Sequence, residues 1–283
     1  MLSLIICSKQ YTISEECKSN IDNTIGKIPY EIICIDNSKK DFSIFQAYNY
    51  AIKKAQYPFI CFMHEDILYH TTNWGELIIN KLNNKKIGLL GVMGAHYIDQ
   101  YSQYYHVPGI CRGKVIQGEY KNGIYIKKID ERYQYKQLGC NVIVIDGLWI
   151  ASRKELFDKG ILHWDEDTYK GFHFYDMDLC MQANIKGLKI QIVDELLIEH
   201  KSIGKLDLEF YNNSIIFHKK WNSYLPIMST NIPSDILNKV FIEQIENKKN
   251  IWKEQQSYNK ILNKTPYKIL TKLLLMLGFK LYE

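Results

Sequence analysis

The sequence predicts an α/β fold built on a doubly wound, mostly parallel sheet, and three observations carry that expectation. Short continuous apolar runs of strand length recur over roughly the first two hundred residues, and they read as strands buried on both faces. Segments with apolar residues at helical spacing separate them, the order of parallel strands joined by crossover helices. The runs also tend to stop on polar residues, and ligands of open α/β sheets sit outside those carboxyl ends.

Leu2 to Cys7 is the first run, with Ser8-Lys9-Gln10 as a polar loop after it. Ser14 is a good helix cap, and the helix it opens extends to about Ile25. The second strand, Glu31 to Ile35, ends in Asp36-Asn37-Ser38. Ile44, Ala47, Tyr48, Ala51, Ile52 and Ala55 share a helical face and form the crossover to a third strand, Phe59 to Met63. That strand stops on His64, Glu65 and Asp66. His64 and Asp66 are two apart and point to one side of an extended chain. Such a pair could hold a divalent metal or ribose hydroxyls, and Asp66 could equally cap a following helix.

Trp74 to Leu82 reads as a helix and Ile87 to Met93 as a buried strand. Residues 96–138 break the pattern with Tyr97, Tyr101, Tyr104, Tyr105, Tyr120, Tyr125, Tyr133 and Tyr135, and with a hairpin about Lys121-Asn122-Gly123. This insertion is either a sugar-stacking wall or a covered loop layer. Asn141 to Ile145 is read as a strand ending in Asp146-Gly147, and Arg153 to Phe157 as the start of a helix. Asp176 or Asp178 begins a further helix that Gly187 is placed to end, and Lys189 to Val193 is the last strand before His200. From about Asp207 the pattern is helical without strand signals. The expected organisation is therefore a domain over 1–206 and a helical extension over 207–283. Within the latter, Leu270, Leu273, Leu274, Leu277 and Leu281 beside Lys268, Lys272 and Lys280 suit an interfacial membrane helix, or one docked on its own domain or on a twin subunit.

Composition narrows the class. A chain of 283 residues, 46% hydrophobic, fits one large domain or a domain with an appendage. The net charge of +5 is mild, and its lysines are spread along the chain with only three arginines, which argues against a nucleic-acid partner. Seven cysteines never fall as C-x-x-C, so a zinc cluster or disulfide scaffold is not expected and a reducing compartment is. No leader and no membrane span are expected from the apolar runs, which points to the cytoplasm. No G-x-G-x-x-G or P-loop follows the first strand, so phosphates need another partner, and a bound metal is the obvious one.

Several stretches now align in order over roughly residues 2–205: L-S-L-I-I-C, I-C-I-D-N-S, Q-A-Y-N-Y-A-I-K-K-A, F-I-C-F-M-H-E-D, V-I-D-G-L-W-I-A-S-R-K-E-L-F, W-D-E and H-F-Y-D-M-D-L-C. In this the chain resembles family 2 glycosyltransferases of the GT-A fold, and most of all a bacterial branch with H-x-D where others carry D-x-D. The resemblance implies transfer from a nucleotide-sugar donor, here a UDP-sugar, to a glycan or lipid-linked acceptor, with Mn2+ or Mg2+ as cofactor and a role in surface polysaccharide synthesis. It implies that Ser8 and Asp36 contact base and ribose, that Asn49 and Glu65 belong to the nucleotide-sugar region, and that Asp146-Gly147 lie beside donor sugar and acceptor. Asp66, with His64 in place of the first Asp and His200 after the last strand, would hold the metal. Asp176 matches the catalytic base of the family's E-D pair, with Tyr175 where the Glu stands. Attack by one base-activated hydroxyl inverts the anomeric carbon.

Two other classes remain open at this point. A nucleotidyltransferase also binds nucleoside phosphates at strand ends, but the loop from Ser8 to Ser14 lacks the glycines that cradle a triphosphate. A non-catalytic carbohydrate-binding or scaffold protein on a degenerate transferase fold is the second.

Overall fold

The computed structural model describes residues 1–100, 110–202, 204 and 206–262. Its first half follows the alternation read from the sequence. In order come β1 (Leu2–Ser8), α1 (Glu15–Thr24), β2 (Tyr30–Asp36), α2 (Ile44–Lys54), β3 (Phe59–Met63), β4 (Ile67–Tyr69), α3 (Trp74–Leu82) and β5 (Ile87–Gly91). Ser14 caps α1 through the Cys17 amide, and Ser43 with Gln46 closes a reciprocal capping box on α2. The chain continues as β6 (Met93–Ala95), β7 (Tyr97–Ile98), β8 (Cys111–Lys121), β9 (Ile124–Arg132), β10 (Asn141–Val142), β11 (Val144–Ile145), β12 (Trp149–Arg153) and α4 (Lys154–Asp158). Last come α5 (Tyr175–Ile185), β13 (Lys189–Ile192), β14 (Ile198–His200), α6 (Leu208–Trp221), β15 (Ile227–Met228) and α7 (Ser234–Leu262).

Seven strands form the main sheet in the order β10-β13-β5-β12-β3-β1-β2. Pairing is parallel between β1 and β2, β1 and β3, and β5 and β13, but β12 runs antiparallel between β3 and β5. Side chains alternate across this sheet with period two. Leu4, Ile6, Cys61, Met63, Trp149 and Ala151 enter one core with Ile21, Trp74 and Ile78 from α1 and α3. Ile5, Ile60, Phe62 and Ile150 enter the other with Phe45, Tyr48 and Leu179 from α2 and α5. Helices thus cover both faces, as the doubly wound expectation requires.

Three expectations change. The run from Asn141 to Ile145 is not one strand: β10 joins the main sheet, while β11 joins a second sheet of order β11-β6-β8-β14-β4. Ile87 to Met93 likewise divides, so β5 and β6 lie in different sheets. The third change is an addition: an unexpected central strand, β12, precedes the helix expected at Arg153, which forms as α4 with Arg153 as its N-cap. Arg153 is buried because its guanidinium donates to the carbonyls of Leu82 (3.1 Å), Ile87 (2.5 Å) and Lys85 (3.2 Å), anchoring the turn between α3 and β5. The hairpin in the tyrosine-rich insertion forms as expected, with Lys121 opposite Ile124 across β8 and β9 and both Asn122 and Gly123 at positive φ. Tyr101, Tyr104 and Tyr105 lie outside the described residues.

The compact unit runs from Met1 to Ile232, and a second unit begins at Pro233, so the division does not fall at the 206/207 boundary read from periodicity. Residues 207–232 belong with the sheet because α6 packs into its core. Phe217 is fully buried, and Lys220 Nζ (2.7 Å) and Trp221 Nε1 (2.8 Å) donate to the buried carboxylate of Asp178, which also takes Gln182 Nε2 at 2.8 Å. The second unit is described as α7 alone. No helix among the described residues is long and apolar enough to cross a membrane, and the leucine-rich stretch 267–281 lies outside them.

Truncation after Ile232 should leave a cooperatively folding protein. Truncation after Leu206 should not, because it strips Asp178 of two donors, a defect costing about 3–5 kcal/mol against a total stability of about 5–15. Urea denaturation of the two fragments checks this.

Candidate active site

Strand pairing brings the predicted residues together. In β1 and β2, Ser8 lies opposite Asp36, and His64 follows directly on the adjacent β3, its amide donating to the Leu148 carbonyl at 3.0 Å. β14 ends at His200 opposite Ile67, and the Lys201 amide donates to the Asp66 carbonyl at 3.2 Å. Asp66 is therefore followed by a strand, β4, and caps no helix. Asp146 and Gly147 sit in the link from β11 into β12, and Asp176 sits in the first turn of α5.

The centre of this group is His64, Asp66 and His200, whose ligand atoms all lie within 4.8 Å of one another. His64 Nδ1 stands 3.2 Å from His200 Nε2, and His200 Nε2 stands 3.5 Å from Asp66 Oδ1. Two ligands each about 2.1 Å from one ion are about 3.0 Å apart at a right angle and about 3.4 Å apart at the tetrahedral angle. Two imidazoles and a carboxylate at these spacings fit a divalent transition ion with open positions left for a second ligand. Burial and the neighbouring His200 pull the His64 pKa from 6.5 down to about 4, although Asp66 and Asp146 oppose the shift. At neutral pH its ring is uncharged, the form that ligates.

Around the centre the expected residues divide by what their atoms do. Ser8 is fully buried, and its hydroxyl donates to Glu65, which also accepts the Lys9 amide at 2.9 Å. These two residues shape the loop after β1. Asp36 is exposed at the end of β2, and the hydroxyl and amide of Ser38 hold its carboxyl below the usual range. Asn49 is not among the strand-end residues: its amide donates to the Trp164 carbonyl (2.8 Å) and to Glu166 (2.9 Å), tying α2 to the loop before α5. The half-buried Asp146 accepts the Leu148 amide at 2.9 Å. Asp176 is 1% exposed; its carboxylate accepts the Gly147 amide at 2.9 Å and the Met177 amide at 2.8 Å. Asp178, facing α6, belongs to a separate network.

Several side chains around the centre are not expected from the sequence to take part, Tyr175 standing out only as occupying the place of the family's Glu. Tyr175 Oη is 3.0 Å from His64 Nε2, and Gln117 Oε1 is 3.4 Å from His200 Nδ1. Gly147 is required by that tyrosine, since a Cβ there would lie 2.3 Å from Tyr175 Oη. Glu199, fully buried, accepts from Tyr125 (2.7 Å), Lys127 (2.8 Å) and His70 (2.9 Å), which fastens the β8–β9 hairpin to the strand that presents His200. Burial raises the Glu199 pKa, yet these three partners outweigh it and the net shift is downward.

The His64 shift has a consequence for stability. The folded form holds this ring neutral down to about pH 4, whereas the unfolded chain protonates it near 6.5. The unfolded state therefore binds more protons between those values, and the stability contributed is present above pH 6.5 and lost as pH falls toward 4. His64→Gln should flatten the decline of Tm over that window relative to the unaltered protein; parallel declines would contradict the assignment.

Comparison with known proteins gives the family and the fold. Residues 3–221 match the model of a glycosyltransferase-like family. No curated protein sequence matches the chain. GalNAc-T7, solved with UDP, GalNAc and Mn2+, aligns with a TM-score of 0.50 at 10% identity, over 76% of this chain and 47% of its own. The chain thus spans about half the length of that protein. TarS 1–349 of S. aureus in complex with UDP-GlcNAc aligns with a TM-score of 0.46 at 10% identity, over 86% of this chain and 70% of its own. With its main sheet wound on both faces and most of its length within the family match, the chain belongs to the glycosyltransferase-like family and has the GT-A fold.

Proposed function

We propose that this protein is an inverting glycosyltransferase that moves a sugar from a nucleoside-diphosphate-sugar, a UDP-sugar in the first instance, to a glycan or lipid-linked glycan in bacterial surface polysaccharide synthesis. The observation that carries this reading is the convergence of His64, Asp66 and His200 beside the Gly147–Asp176 contact. A divalent ion, Mn2+ or Mg2+, would be held by those three side chains and would neutralise the charge that develops on the departing diphosphate. The absence of glycines between Ser8 and Ser14 makes that need acute. GalNAc-T7, of the same fold, was solved with Mn2+ and UDP, which supports carrying the ligand classes over.

In this reading Asp36, exposed at the end of β2, receives the ribose, while Ser8 and Glu65 order the loop against which the base lies. Gly147 and Asp146 border the sugar. Asp176 takes the acceptor's proton as the hydroxyl attacks opposite the leaving group. Because Asp176 is almost fully covered and Asp146 is half open at the same strand end, Asp146 is the second candidate for the base.

Incubation with a panel of UDP- and GDP-sugars and Mn2+ tests the activity through slow donor hydrolysis or transfer. Asp66→Ala should abolish the extra thermal stabilisation that Mn2+ adds to UDP; equal stabilisation of variant and parent would remove Asp66 from the site. Asp176→Asn should fold and bind UDP yet lose on the order of a hundredfold or more in transfer rate. If it keeps its rate while Asp146→Asn loses it, Asp146 is the base.

A further inference from the structure

The His64–His200 pair poses a question of proton placement that the surrounding atoms answer. Gln117 lies directly opposite His200 in the parallel pairing of β8 and β14. Its amide nitrogen, with two hydrogens, faces three carbonyl oxygens and shares its donation among them, those of Ser202, His200 (3.2 Å) and Gly118 (3.2 Å). Rotating the amide would set its oxygen against all three, so the orientation is fixed. Gln117 Oε1 therefore faces His200 Nδ1, and only a protonated Nδ1 satisfies that contact. The consequence is that His200 Nε2 carries a lone pair toward the cluster, where His64 Nδ1 (3.2 Å), Ser202 Oγ (3.4 Å) and Asp66 Oδ1 (3.5 Å) surround it.

Without a cation, two facing lone pairs at 3.2 Å repel, and the satisfied arrangement puts the His64 proton on Nδ1, donating to His200 Nε2. His64 Nε2 then accepts from the Tyr175 hydroxyl, 3.0 Å away. A hydroxyl both donates and accepts, so this partner serves either tautomer of His64. Phe or Glu⁻ in its place would serve none or one. Gly147 clears the space that this hydroxyl occupies.

We infer that Tyr175 and Gln117 are positioning residues that prepare the cluster for a divalent cation: Gln117 holds His200 permanently in the ligating tautomer, and Tyr175 lets His64 exchange its tautomer as the ion enters. A cation held by these residues would relieve the repulsion between Nδ1 and Nε2 that the His64 proton otherwise relieves. His64 would then give its Nδ1 proton to solvent and take one from solvent at Nε2, which would donate to Tyr175 Oη, so the ring's proton count would be unchanged. The inference rests on the cluster's being the metal site, and it extends that reading to the outer partners that decide ligand orientation.

Nitrogen-15 NMR of the histidine-labelled full chain reads the tautomers, with Zn2+ as a diamagnetic probe that imidazole ligates. The expected result is His200 protonated at Nδ1 throughout, and His64 protonated at Nδ1 without the ion and at Nε2 with it. Calorimetric titration with Mn2+ should show Tyr175→Phe and Gln117→Met each binding about tenfold to a hundredfold more weakly than the parent. Gln117→Met keeps the argument testable should Tyr175→Phe not fold, and in it His200 should lose its fixed tautomer. Parent and variants binding Mn2+ alike, or a His64 tautomer unmoved by Zn2+, would overturn the inference while leaving the metal site in place. A parent protein that binds neither ion would overturn the metal reading itself, and the inference with it.

Discussion

Three electron-rich atoms, His64 Nδ1, His200 Nε2 and Asp66 Oδ1, meet at the carboxyl end of the sheet with His200 Nε2 3.2 Å from the first and 3.5 Å from the last, and much of the molecule is arranged to keep them there. Such a cluster is costly to assemble, because acceptors brought together in a partly dry site repel until a proton or a cation lies between them. The fold meets that cost with rigid supports. β3 delivers His64 from the middle of a seven-stranded sheet, and β14 delivers His200 from a second sheet. The fully buried Glu199, gripped by Tyr125, Lys127 and His70, fastens the hairpin next to that second strand.

The two carboxylates at the start of α5 divide their tasks by which way they face. Asp178 turns to α6 and, with Lys220, Trp221 and Gln182, forms a saturated network that holds that helix onto the domain. Asp176 turns to the strand ends and takes the amide of Gly147, beside the Tyr175–His64 contact. Three successive functions, orientation of a histidine, placement of a carboxylate and docking of a helix, are thereby set by Tyr175, Asp176 and Asp178 within one helical turn. A residue's angular place on α5 decides which of them it serves.

Much of this was legible in the sequence, and the limits have physical causes. Phe59–Met63 and Trp74–Leu82 were readable to the residue because length, period and boundary polarity agree there. β12 was not, since its Trp149-Ile150-Ala151 run ends in an arginine, and nothing local says that three distant carbonyls will bury that charge. The break of 141–145 into two sheets is a tertiary decision of the same kind. Asp66 and His200 could be picked out by type and position, as could Asp176. Gln117 could not: an isolated glutamine in a strand carries no signal until the pairing of β8 with β14 sets it opposite His200. The reach of α6 into the core was likewise hidden, because amphipathic periodicity marks a helix without naming the surface it covers.

The central claim is that the strand-end cluster holds a divalent cation that meets the diphosphate of a sugar nucleotide. A crystal structure grown with Mn2+ and UDP, with anomalous scattering recorded at the manganese edge, tests it most directly. The account predicts one anomalous peak bonded to His64, Asp66 and His200, with phosphate oxygens completing its coordination. UDP bound at the strand ends with no peak there, or with manganese held elsewhere, would contradict it.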